Sequence, residues 1–84
     1  MRVAAQPNPA SGQAQFTATV RRAGLVQLRL VDALGTTVAT VYNGTMEAGS
    51  TQINYDLTGL PAGLYFLRLQ TEQGMVSTSI VVAR

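Results

Sequence analysis

The stretch Ala14-Gln15-Phe16-Thr17-Ala18-Thr19-Val20-Arg21 decides the fold. Ala14, Phe16, Ala18 and Val20 alternate with Gln15, Thr17, Thr19 and Arg21. Successive side chains of a strand point to opposite faces, so this run reads as a strand with one face in a core and the other in water. The same period recurs on both sides. Ala23-Gly24 turns the chain into residues 25–31, with Val26, Leu28 and Leu30 inward and Gln27 and Arg29 outward. Residues 50–57 place Thr51, Ile53, Tyr55 and Leu57 opposite Ser50, Gln52, Asn54 and Asp56. Residues 64–71 carry Tyr65, Leu67 and Leu69 on one face, and Leu64 and Phe66 make the start of the other face apolar too. That predicts a central strand covered on both sides. The last strand, residues 75–83, presents Val76, Ile80 and Val82 to the core.

Turn residues fall between these runs. Asp32-Ala33-Leu34-Gly35 combines a side chain that accepts from amides two residues on with a glycine that supplies positive φ. Leu60-Pro61-Ala62-Gly63 suits a type I turn. Residues 36–42 are rich in β-branched side chains, but Val38 and Val41 fall on opposite faces unless a bulge intervenes. Asn43-Gly44 is type I′ hairpin chemistry, yet residues 45–49 are also turn-like, so a longer connection is expected there. Arg2 to Gln6 reads as a first strand or a linker remnant, closed by Pro7-Asn8-Pro9. Six strands and a seventh candidate in 84 residues predict an all-β, two-sheet antiparallel sandwich spanning 1–84 as a single domain.

Composition narrows the chemistry. The chain has no His, Cys, Lys or Trp. Imidazole- and thiolate-based nucleophile systems, thiolate and imidazole metal sites, and Schiff-base lysines are therefore excluded. The carboxylates Asp32, Glu47, Asp56 and Glu72 sit at strand ends or in turns, and no calcium-loop spacing occurs among them. No cofactor or metal is expected, and an enzyme is not. The six arginines are scattered, with only Arg21 and Arg22 adjacent, which argues against a nucleic-acid partner. No apolar run is long enough for a membrane helix, so no direct membrane insertion is expected. Residues 1–84 also show no basic region followed by an apolar leader. At 46% hydrophobic and 12% charged, the chain is too apolar to stay unfolded.

One ordered set of motifs is more specific than any of these. Pro7-Asn8-Pro9 is followed by Leu30-Val31-Asp32-Ala33-Leu34-Gly35, then Ala48-Gly49. Next comes Leu60-Pro61-Ala62-Gly63-Leu64-Tyr65-Phe66-Leu67-Arg68-Leu69, and finally Val81-Val82-Ala83-Arg84. In this order and spacing the chain resembles the type A C-terminal sorting domain of the type IX (Por) secretion system, with residues 7–84 best matched. The resemblance implies a seven-stranded immunoglobulin-like sandwich that does no chemistry. It also implies a preceding cargo, transit through the periplasm, recognition by outer-membrane type IX components, and a sortase-like protease that removes the domain. The cargo then ends on the cell surface or secreted.

Two positions depart from the family pattern. Val31 stands where an aromatic residue is usual, and Thr78 and Ser79 stand where lysine is usual. Ile80, Val81, Val82, Ala83 and Arg84 are the candidates for receptor recognition, because a terminal strand at an exposed sheet edge can pair with a receptor strand. Pro7, Asn8, Pro9, Asp32, Gly35, Leu60, Pro61, Gly63, Tyr65 and Arg68 are motif positions with a structural reading. The alternative is an immunoglobulin-like accessory or glycan-binding module of a secreted enzyme or adhesin. A glycan platform needs exposed coplanar rings, whereas Phe16, Tyr55 and Tyr65 fall on core faces and Tyr42 stands alone.

Overall fold

The computed structural model describes residues 1–7 and 10–83. Among them are seven strands: β1 (Arg2–Gln6), β2 (Gln13–Val20), β3 (Gly24–Asp32), β4 (Thr37–Met46), β5 (Gly49–Asp56), β6 (Gly63–Thr71) and β7 (Gly74–Val82). They form a three-stranded sheet in the order β1-β2-β5 and a four-stranded sheet in the order β4-β3-β6-β7. Every strand pairing is antiparallel. The pairs β2–β5 and β3–β6 join strands that are not consecutive, which is the crossed connectivity of an immunoglobulin-like sandwich. The segment that reads as strand or linker remnant is a strand, paired from Arg2↔Thr19 to Gln6↔Gln15.

The core follows the alternation. Leu28↔Leu69 and Leu30↔Leu67 stand opposite one another across β3 and β6, all fully buried. The other sheet supplies Ala14, Phe16, Ala18 and Val20 from β2. Small alanines beside one phenylalanine leave room for the four leucines, so the two inner faces interdigitate. Each buried leucine or phenylalanine contributes on the order of 1.5–3 kcal/mol by leaving water. Phe16 stacks on Tyr55, with ring centroids 5.8 Å apart and an interplanar angle of 24°. Two core members were not expected from the sequence, Met46 at the end of β4 and Ala10 between β1 and β2.

Three expectations change, and the bulge expected in β4 is located. Asn43 and Gly44 are strand residues, paired with Gln27 and Val26. Neither has the positive φ that a type I′ turn requires. β3 begins at Gly24, and its main-chain groups there are met by β4 continuing to Met46 (Gly24↔Met46), so sheet pairing overrides local turn preference. The connection to β5 shrinks to Glu47 and Ala48.

The β4 alternation is blurred because register shifts fall between Leu28/Arg29 and Leu30/Val31, leaving Val41 and Val38 as the extra residues. These are the bulges that the misplaced valines required, and they lie on an edge strand, where they blunt further pairing.

The turn before β6 is formed by residues 57–60, closed by Leu60 N–H donating to the Leu57 carbonyl at 3.1 Å, with Gly59 at φ 95°. Residues 60–63 form only a bend after it.

Finally, β6 is central within its sheet, but its outer face is open. Leu64 is exposed and Phe66 only half-buried. Val31 is the exception on that face. It is 1% exposed, yet lies outside the main core cluster, opposite Phe66.

Candidate recognition pole

The motif positions are spread from residue 7 to residue 83, and the strand registers gather most of them at one end of the sandwich. β1 ends, β2 begins and β5 ends together, through Gln6↔Gln15 and Gln13↔Asp56. In the other sheet, Asp32 faces Tyr65, Tyr65 faces Ile80, and Gly63 faces Val82. Leu57 N–H donates to the Gly12 carbonyl at 2.6 Å and extends the first group, and Ala10, which bridges Val82, ties the two groups together. Pro7 and residues 10–12, 32–36, 57–62 and the end of β7 therefore share one pole. Met1, Arg21, Arg22, Glu47 and Gln73 lie at the other, where the Thr71 hydroxyl reaches the Met1 sulfur at 3.3 Å.

Side-chain oxygens shape two turns at the motif pole. Asp32 Oδ1 accepts from the amides of Leu34 and Thr36, each at 2.9 Å. The Asp32 carbonyl accepts from Gly35 N–H at 3.0 Å, and Gly35 takes φ 87°. This locked turn carries Leu34 at its tip, 91% exposed. Asp56 plays the matching part ahead of the next turn, where its Oδ1 accepts from Thr58 N–H at 2.9 Å and from the Thr58 hydroxyl. Those two bonds, the hydroxyl first, hold the Asp56 carboxyl below its ordinary 3.8. Both carboxylates thus serve as acceptors for their own turns. Among the described residues no cluster of three metal-ligating side chains occurs.

Tyr65, buried near the start of β6, donates its hydroxyl to the Pro61 carbonyl at 2.6 Å. A tyrosine at this corner whose hydroxyl reaches back to the preceding connection is a hallmark of immunoglobulin-like folds. It pins Pro61 against the sandwich. Leu60 packs on the core from the same loop.

The terminal strand is held from outside as well. Ala10 bridges Val82 in parallel: its N–H donates to the Val81 carbonyl at 2.9 Å, and Ala83 N–H donates to the Ala10 carbonyl at 2.7 Å. Ala10, beyond the cis Gln6–Pro7 peptide, thus lies along the edge of β7. Of the recognition candidates, Ile80 and Val82 point into the core, Val81 points out and Ala83 is half-buried. Arg84, Asn8 and Pro9 lie outside the described residues. A receptor strand pairing at 81–83 would have to displace Ala10. Arg68 does not join the pole, since it sits mid-strand on the outer face of β6, opposite Arg29. Leu34 and Ala10 were missed in the sequence. The clue for Leu34 was a large apolar residue in a turn with nothing to pack on. Ala10 gave no local signal.

Among the described residues no aromatic ring is fully exposed to build a glycan platform, and Phe66 is half-buried on the outer face of β6. Phe16 and Tyr65 are buried, Tyr55 is stacked on Phe16, and half-buried Tyr42 packs on the core and donates its hydroxyl to the Thr45 carbonyl.

No curated protein matches the chain. A family model described as the secretion system C-terminal sorting domain matches residues 5–83, which takes in every strand but the first three residues of β1. With the crossed sandwich and the gathered motifs, that match makes this chain a member of the type IX secretion C-terminal sorting domain family.

Proposed function

We propose that residues 1–84 act as one export address, read at the motif pole by the outer-membrane type IX machinery after the cargo has reached the periplasm. The observation that carries this reading is the gathering of Pro7, Asp32, Gly35, Leu60, Pro61, Gly63 and the end of β7 at one pole, with Met1 at the other. A cargo preceding Met1 enters on the far side of the molecule, about 25–30 Å away along strands of eight or nine residues. The pole stays accessible whatever is attached. Removal by a sortase-like protease and delivery of the cargo to the surface or medium complete the proposal. Recognition at the last strand falls to the outward side chain of Val81, together with Ala83 and Arg84, since Ile80 and Val82 are occupied by the core.

The test is a folded periplasmic reporter fused ahead of residues 1–84 in a type IX-competent cell. Export to the surface or medium is expected, and a reporter retained in the periplasm sinks the proposal. Deleting residues 81–84 should abolish export, but it also removes buried Val82 and both bonds to Ala10. Val81→Glu spares those groups and separates recognition from folding. Unchanged export of a folded Val81→Glu variant would show that the outward side of β7 is not read.

A further inference from the structure

The outer faces of the two sheets differ in kind. On the three-stranded sheet, Gln6, Gln15 and Gln52 form a hydrogen-bonded amide ladder, and Thr19 bonds Ser50. On the four-stranded sheet, the outward positions include exposed Leu25, Leu64, Met75 and Val81. Between them stand Arg29 and Arg68, directly opposite one another on β3 and β6. Like charges facing each other across a strand pair oppose folding. No acid on the same face offsets them: Asp32 and Asp56 build turns at the motif pole, and Glu47 and Glu72 lie in the turns at the other. Among the described residues Arg29 donates only to the neutral Gln27 amide oxygen, at 2.5 Å. Arg68 Nε is buried and has no hydrogen-bond partner among the described residues. A guanidinium taken partly out of water with a donor unmet is costly to hold unless an acceptor arrives.

We propose that this face is a docking surface for an acidic segment of a partner protein, with the Arg29–Arg68 pair clamping a carboxylate. Guanidinium groups bind planar carboxylates through paired N–H donors, and two side by side supply more donors than one carboxylate needs. The apolar neighbours specify the flanks. Leu64 and Val81 face each other about 13 Å along the strands on one side of the pair, and Met75 lies about 7 Å away on the other. The matching partner is an apolar–acidic–apolar stretch of chain. A bare phosphate uses the arginines and leaves the apolar positions in water. This surface adjoins the motif pole and shares Val81 with it, but its arginine pair lies mid-sheet, and the inference does not depend on the export reading.

The test is a backbone-amide NMR titration of the full chain. The probes are a synthetic peptide alternating Leu and Glu, the same peptide with Lys for Glu, and inorganic phosphate. The acidic peptide is expected to shift amides around Arg29, Phe66 and Arg68, and the lysine peptide is not. Its affinity should fall about tenfold for each guanidinium removed in Arg29→Gln and Arg68→Gln, and should weaken with salt. Arg29→Glu places a carboxylate opposite Arg68. It should abolish peptide binding while the domain melts no lower than the parent, whereas a merely structural arginine predicts lower melting. No localised shifts, equal binding of the lysine peptide, or unchanged affinity in the double Gln variant would each overturn the proposal. Displacement of the peptide by phosphate at equal affinity would overturn it in favour of a simple anion site.

Discussion

Tyr65→Phe tests the corner that holds the motif pole. The substitution keeps the ring, which is 5% exposed, and deletes only the hydroxyl that donates to the Pro61 carbonyl at 2.6 Å. That carbonyl then loses its partner in a half-buried setting. Loss of one such bond costs about 1–2 kcal/mol. Unfolding entropy near the midpoint is about 0.18 kcal/mol per kelvin for 84 residues. The expected fall in Tm is therefore roughly 6–11 °C, read by circular dichroism at fixed pH and concentration. The urea m-value should not change, because the surface exposed on unfolding is the same. Hydrogen exchange adds a local readout: the Leu60 amide, bonded to the Leu57 carbonyl, should exchange faster once Pro61 is released. A fall in Tm below about 2 °C would refute the argument, because it would mean that water satisfies Pro61 as well as Tyr65 does.

Three further outcomes follow from the turns at the same pole. Asp32→Ala removes the acceptor for the Leu34 and Thr36 amides and should cost about 1–2 kcal/mol in urea unfolding, while Asp32→Asn, which keeps a side-chain oxygen, should recover most of that. Gly35→Ala meets no atom within 4 Å, so any loss comes from holding alanine at φ 87°, about 1–2 kcal/mol. For Asp56, the folded carboxyl lies below 3.8, so its stabilising share is complete above that value and drains as pH falls through the lower folded value. The urea midpoint should drop on acidification below pH 3.8, and the drop should be shallower in Asp56→Asn. An identical acid limb in that variant would show that Asp56 is not a contributor.

The strands were legible because alternation is a local signal. β2 needed only Ala14, Phe16, Ala18 and Val20 to declare its buried face, and all four are buried. The Asp32 turn was legible for the same reason, since its bonds close within four residues. Asn43-Gly44 misled because turn chemistry is a preference, and the main chain of β3 outweighed it. The open outer face of β6 could not be foreseen from Leu64 and Phe66, because apolar residues on two faces do not say which face a neighbour covers. Val38 and Val41 announced a bulge without saying where β3 would take up the shift.

Alternation, turn residues and missing residue types determined by themselves that this chain is a non-helical sandwich without imidazole or thiolate chemistry, because each rests on residues close in sequence or on composition. The tertiary structure alone decided that Ala10 closes the edge of β7, that Tyr65 pins Pro61, that the motif pole lies opposite Met1, and that Arg29 meets Arg68. Each of those depends on strand register between distant segments. A shift of one residue would turn every side chain of a strand to the other face, and register is settled only when both sheets bury their apolar faces together.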